Sequence, residues 1–385
     1  MTKLVDECIS KMKDGRSFSL KQIEFVKNYD RNLDMNGLSK ATRAARIQRL
    51  FQIFGTIGKD FEEITEKDIE NFVYKLKDRG VTSYTVENWK CVIRGFFKGT
   101  PIESAECLKR GKFKYPKKTS KDLLTEEQVK RIIEATTDTQ HKSIIAVLWE
   151  TGCRPGELCN CNISDFVEIG NKCKIILDGK TGIRERTLLI SAKYMKRWIE
   201  VHPFRNQSNK PLFISMSHQR FHRRITDWTL SDIVRNASKK AGITKNVTPY
   251  TFRHSRATNL APYMAEMELR HFFGWTKDST MPGIYIHLSG KHVDDKYENI
   301  ITGKKSKLEP EPSILLPVEC PNCNEPVEST AIYCHKCGYP LKKETVAREM
   351  KIAETFQSPY VQKILKINVD EIVNRFWNFR TYVNT

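Results

Sequence analysis

A chain of 385 residues is long enough for two or three domains, and 39% hydrophobic with 29% charged residues suits folded domains with much charged surface. A formal charge of +19 and a pI of about 9.4 favour a polyanionic partner, nucleic acid before an anionic membrane surface. No run approaches the ~20 apolar residues of a spanning helix. The first twenty residues mix acids and bases without an apolar stretch, so no signal peptide is expected. The expected location is the cytoplasm, with the nucleoid. There the eleven cysteines would be thiols or metal ligands rather than disulfides.

Residues 18–107 read as short helices. Leu20, Ile23, Phe25 and Val26 open an amphipathic pattern. Ser39 is positioned to cap a second helix that runs to Gly55. Thr65 opens a third, with Asp68 three residues on and Gly80 as its stop. The run from Ser83 to Gly99 makes a fourth. Residues 108–121 hold seven Lys or Arg and no acid, with Gly111 and Pro116 breaking any helix. They read as an extended basic linker able to follow a phosphate backbone. Thr125 caps the next helix, with two glutamates in its first turn where the helix dipole favours them. KSIIAVLWETG reads as a buried helix. Two β-rich runs flank GKTG at 179–182, a hairpin signal. Helices follow to about Thr302, then a proline-containing linker at 304–317. A tail from Lys343 carries Val369, Ile372, Val373 and Phe376 on one helical face.

Five pieces carry chemistry: TGCRPGEL at 151–158, GKTG at 179–182, YTFRHS at 250–255, GW at 274–275 and PGIYIHLSG at 282–290. Their order and spacing resemble the tyrosine recombinase (phage integrase, Xer-like) family. The family's run is Arg-x-x-Glu-Leu, a hairpin Lys, His-x-x-Arg-His, Gly-His or Gly-Trp, and a Tyr about ten residues later. The resemblance covers residues 122–302 strongly and 18–107 weakly. It implies a mainly α fold with a small antiparallel sheet. A helical core-binding (SAM-like) domain would occupy 1–107, a linker 108–121 and the catalytic domain 122–303. The Gly-Trp form and the appended cysteines are similar to archaeal members.

The resemblance makes Tyr285 the nucleophile, leaving a 3′-phosphotyrosine and a free 5′-hydroxyl. Arg154 and Arg253 would fork onto the non-bridging phosphate oxygens and neutralise the charge of the transition state. Lys180 would protonate the leaving 5′-oxygen. The indole N–H of Trp275 would donate to the same phosphate. Tyr250 departs from the pattern, standing where the family has His. A phenol can donate to phosphate, but phenols titrate near pH ~10 and make poor bases at neutral pH. Glu157 is expected to be structural and His254 to support the site from behind. No metal or nucleotide is expected for catalysis, because the bond energy is kept in the covalent intermediate. Double-stranded DNA is the expected partner, with a homotetramer on two paired sites.

Cys320, Cys323, Cys334 and Cys337 form C-x2-C-x10-C-x2-C, a spacing that suits a closed structural Zn2+ site. A zinc ribbon is expected over 318–342, followed by a helical tail over 343–385. Cys153, Cys159, Cys161 and Cys173 match no metal spacing and read as small core residues. Val293, Tyr297, Ile300 and Ile301 recur at helical spacing after Tyr285, in a segment that in the family docks on a neighbouring protomer; packing within the same chain fits the pattern equally. Two other readings remain open: a type IB-like topoisomerase without site specificity, and a catalytically decayed DNA-binding protein.

Overall fold

The computed structural model describes residues 3–10, 18–98, 108, 120–169, 172–288, 297–298, 301–303 and 311–357. The chain divides into two units, Met1–Lys117 and Lys118–Thr385. Most of the 108–121 linker and residues 358–385 lie outside the described residues. So do Val293 and Ile300, and with them the question of what the segment after Tyr285 packs on.

The first unit is all helical: α1 (Lys3–Ser10), α2 (Leu20–Met35), α3 (Lys40–Ile57), α4 (Glu66–Asp78) and α5 (Ser83–Phe97). Its helices begin where the sequence puts oxygen-bearing caps. Ser19 and Thr65 form reciprocal boxes with Gln22 and Asp68, and Ser39 and Thr82 accept from the third residue of their helices. Val26, Ile47, Phe51, Phe54, Ile69, Ile93 and Phe96 meet in one core. Each such burial stabilises by roughly 1.5–3 kcal/mol. Two expectations change here. Leu20 is 85% exposed, and α2 buries Gln22, Val26, Tyr29 and Leu33 instead. The stop of α3 is Gly58, in the left-handed region at φ 74°, while Gly55 lies inside the helix. Helix α1 had no strong sequence signal.

The second unit opens with α6 (Glu126–Glu134), α7 (Thr139–Thr151) and α8 (Pro155–Asn160). A meander follows: β1 (Phe166–Ile169), β2 (Lys172–Gly179) and β3 (Gly182–Leu188), antiparallel in the order β1-β2-β3. The hairpin lies where GKTG predicts it, and β1 is an added edge strand. Then come α9 (Ala192–Glu200), α10 (Asp227–Lys240), α11 (Pro249–Leu260), α12 (Glu266–Phe273) and α13 (Met281–Leu288). Helix α7 is buried all round from Ser143 to Thr151 and packs against α6, α9 and α11. It is the axis of the core. Cys153, Cys159, Cys161 and Cys173 are buried in that core. Burial pushes the Cys153 thiol up to about 11 and Cys159 to about 12, as befits packing groups rather than nucleophiles.

Beyond residue 310 the chain returns to this unit. Leu315, in the stretch expected to be linker, is buried in the main core, and the Ser313 hydroxyl donates to Glu126 at 2.7 Å. Strands β4 (Val318–Glu319) and β5 (Pro326–Val327) form a two-stranded ribbon, and α14 (Lys343–Gln357) follows. The ribbon rides on α9. The Tyr194 and Thr330 hydroxyls are 2.7 Å apart, Lys193 pairs with Glu325, and Arg197 pairs with the buried Glu328 at 3.1 Å.

Candidate active site

The site grows from the turn that ends α7. Gly152 adopts φ 54°, and a Cβ there would lie 2.4 Å from the Phe273 ring, so both backbone and space demand glycine. Two residues on, Arg154 caps α8 with Pro155 at its first position. The Arg154 backbone N–H donates to Glu157 at 2.7 Å, and its guanidinium reaches both Glu157 at 2.7 Å and the Gly274 carbonyl at 2.8 Å.

Glu157 is the hub. Arg184 on β3 donates to both its oxygens, at 2.8 and 2.6 Å, and both side chains are buried. Burial pushes the carboxyl up, but the Arg184 bonds and charge, then Arg154, overcome this and hold it near about 2. The neighbouring inward residue, Arg186, donates to the carbonyls of His271 and Phe272 and fixes the end of α12.

Arg253 comes from α11. It donates to the Gly152 carbonyl at 2.8 Å and the Phe273 carbonyl at 2.7 Å, and is only 5% exposed. Burial first, then the charge of Arg154, lowers its pKa to about 10, so it stays cationic at neutral pH. Three carbonyls, of Gly152, Phe273 and Gly274, thus hold two like-charged forks side by side. A guanidinium has five donors. Two of those on Arg253 are committed to backbone, which orients the rest.

An aromatic ladder leads to the phenol. Trp275 stacks on Phe273, with centroids 4.9 Å apart, and on Tyr285 at 5.5 Å with ring planes 6° apart. The Arg253 guanidinium carbon lies 5.5 Å from the Trp275 ring centre. Tyr285, on α13, is 2% exposed, and burial raises its pKa to about 12 against the lowering pull of Arg253. Its hydroxyl shares a hydrogen bond with Nδ1 of His254.

Arg154, Arg253, Trp275 and Tyr285 are therefore brought together as expected. Lys180 is exposed at the β2–β3 tip, whose next residue, Thr181, donates to the Gly274 carbonyl at 2.8 Å. Tyr250 sits in the first turn of α11 and is 50% exposed. Sequence reasoning missed Arg184 and Arg186, and it gave no sign of the contact between His254 and the Tyr285 hydroxyl. It also missed Glu150, whose carboxylate accepts from the N–H groups of Leu189, Ile190 and Ser191 and so secures the chain after β3. What the site can do follows from these groups. Two oriented cations suit a tetrahedral anion, and a phenol beside them can attack it.

At 122–292 the chain matches the model of the phage integrase family. That stretch is a phage integrase family domain, and the chain is similar to tyrosine recombinases. It is 29% identical to the tyrosine recombinase XerA of Pyrococcus horikoshii over 71% of this chain and 93% of that one. Identity to XerD of Oceanobacillus iheyensis is 28%, over 62% and 83% respectively. Among solved structures, a lambda integrase dimer bound to a core site aligns with TM-score 0.54 at 17% identity, over 74% of this chain and 85% of that one. XerH bound to its difH substrate aligns with TM-score 0.52 at 16% identity, over 78% and 94%. These two structural likenesses concern the fold, mainly helical with a small antiparallel sheet. The recombinase reads as a DNA strand cleaving and rejoining enzyme. Among the described residues, no helix is long and apolar enough to cross a membrane.

The four ribbon cysteines also meet. Their sulfurs all lie within 4.8 Å of one another, with Cys320–Cys337 and Cys323–Cys334 at 3.6 Å. Four sulfurs at about 2.3 Å from a tetrahedral zinc would stand about 3.8 Å apart. Each knuckle closes with a positive φ four residues past its first cysteine, at Asn324 and Gly338. The cluster is compatible with a structural zinc ion.

Proposed function

We propose that this recombinase acts on paired specific sites in duplex DNA through a 3′-phosphotyrosine at Tyr285. The observation that carries the reading is the convergence of Arg154 and Arg253 on the Phe273–Gly274 backbone, beside Trp275 and Tyr285. The two forks bind the scissile phosphate and neutralise the charge gained in the transition state. Trp275 donates its indole N–H to the same phosphate, and Tyr250, at the open end of α11, adds a phenol donor. The Tyr285 oxygen bonds to phosphorus as the bond to the 5′-oxygen breaks, and Lys180 protonates that oxygen. A free 5′-hydroxyl from a second strand then reverses the step. One phosphodiester is exchanged for another, so the strand exchange draws on no nucleotide and no catalytic metal.

Double-stranded DNA is the partner, and four copies act together on two sites. A lambda integrase tetramer bound to a Holliday junction is one structural neighbour. The enzyme works where the DNA lies, with the nucleoid. A plasmid carrying two copies of DNA from the flanks of the gene tests the reading. Recombinant circles that require both copies are expected. Relaxation of any supercoiled plasmid, with or without those copies, would favour a type IB-like topoisomerase. Tight binding with neither product would favour a decayed DNA-binding protein.

Cys320, Cys323, Cys334 and Cys337 hold Zn2+ in the ribbon, where it crosslinks two knuckles and stiffens the surface that meets α9. Metal analysis should find one zinc per chain. Cys334→Ser should lose it, and proteolysis should then cut first within residues 318–342. A metal-free wild-type chain with an intact, protected ribbon would contradict the assignment.

A further inference from the structure

Attack on phosphorus requires Tyr285 to give up its proton, and burial makes this harder than for an exposed phenol. The proton must go to a group already touching the hydroxyl. That group is His254, one residue past Arg253 on α11, whose Nδ1 lies in hydrogen-bond contact with the Tyr285 oxygen. The two rings lie 5.9 Å apart between centroids, at 35°, so the contact is made edge-on through the heteroatoms. Tyr250, a full turn earlier on the same helix, is half exposed and offers a phenol rather than a base.

We propose that His254 is the proton acceptor for Tyr285, a catalytic residue rather than a support. The proposal rests on the recombinase reading above. With its own proton on Nε2, the imidazole presents a lone pair at Nδ1. As the Tyr285 O–H bond breaks, that proton passes to Nδ1 and the phenolate oxygen bonds to phosphorus. The phosphorus bond to the 5′-oxygen breaks, and Lys180 delivers a proton to the departing oxygen. His254 ends as imidazolium and Lys180 as amine, so charge and protons balance within the site. Rejoining runs the same transfers backwards. The Trp275 ring, stacked parallel on Tyr285, holds the phenol in the plane that keeps its hydroxyl at the histidine. The Arg253 charge favours the phenolate. The site thus separates the two proton jobs between α11 and the β2–β3 tip.

The test is single-turnover cleavage of a nicked duplex by wild type, His254→Gln and His254→Ala. Each is checked for unchanged melting and DNA binding. General-base loss of this kind costs roughly 10²–10⁴-fold. His254→Gln, which keeps a hydrogen-bond partner but cannot take the proton, should cut at least a hundredfold more slowly. His254→Ala should be equally slow and regain at least tenfold with added imidazole. A substrate with a 5′-bridging sulfur, whose leaving group needs no proton, should rescue Lys180→Ala but not the His254 variants. Near wild-type cutting by His254→Gln would overturn the proposal, leaving only a positioning hydrogen bond. Rescue of the His254 variants by the sulfur substrate would also overturn it. Absence of any adduct from wild type would instead defeat the recombinase reading itself.

Discussion

A Glu157→Gln variant is expected to lose stability and cleavage together. The carboxylate accepts from the Arg154 backbone and guanidinium and takes both forks of the buried Arg184. An amide cannot accept all of these, and its N–H2 would face donors. Breaking a buried pair from one side typically costs about 3–5 kcal/mol, because the other charge stays behind unpaired. For a unit of this size that corresponds to a fall in Tm of roughly 10 °C. Arg154 would lose its fixed orientation, so cleavage should fall even in the fraction still folded. The same carboxylate sets an acid limit. Its folded pKa, near about 2, lies below the ordinary 4.5. A depressed pKa gives stability that is fully present above the unfolded value and is lost as pH falls through the folded one. Acid titration should therefore destabilise wild type between about pH 4.5 and 2 more steeply than the Gln variant. Identical melting of the two proteins at neutral pH would refute the role given to Glu157.

Arg253→Lys is expected to abolish most cleavage while leaving the fold. The guanidinium bridges the Gly152 and Phe273 carbonyls and still has donors to aim at a phosphate. An ammonium is a point charge with three donors and cannot span both carbonyls and hold a fork. Loss of an oriented transition-state donor costs roughly 10²–10³-fold in rate. DNA binding should change much less, because many phosphate contacts share it. Single-turnover rates at saturating protein would read this directly. A rate within threefold of wild type would mean that Arg253 only pins Phe273 in place.

Some of this architecture is written locally in the sequence. Ser39, Thr65 and Thr125 each sit where a side-chain oxygen can accept from the third residue of a helix, and each does. The hairpin follows from two β-rich runs about a Gly-Lys-Thr-Gly turn. Other features depend on distant partners. Strand β3 turns Arg184 and Arg186 inward and leaves Ile183 72% exposed. Hydropathy alone would invert that strand. The arginines go inside because Glu157 and the carbonyls of His271 and Phe272 wait there, 27 and about 85 residues away along the chain. The only sequence hint is that they share the parity of the buried Leu188. Gly55 looked like a stop because glycine often ends helices, but the left-handed turn falls at Gly58. His254 was read as support because a histidine is more often a structural hydrogen-bonder. Only the fold brings α13 across α11 and puts the Tyr285 hydroxyl on its ring.

The most direct measurement is adduct formation on a nicked duplex that lets the short downstream fragment bearing the free 5′-hydroxyl escape, with wild type and Tyr285→Phe side by side. The account predicts a denaturation-resistant protein–DNA adduct from wild type only, with the 3′-phosphate of the DNA mapped to Tyr285 by mass spectrometry. An adduct of equal yield from Tyr285→Phe, or one mapped to Tyr250, would contradict it.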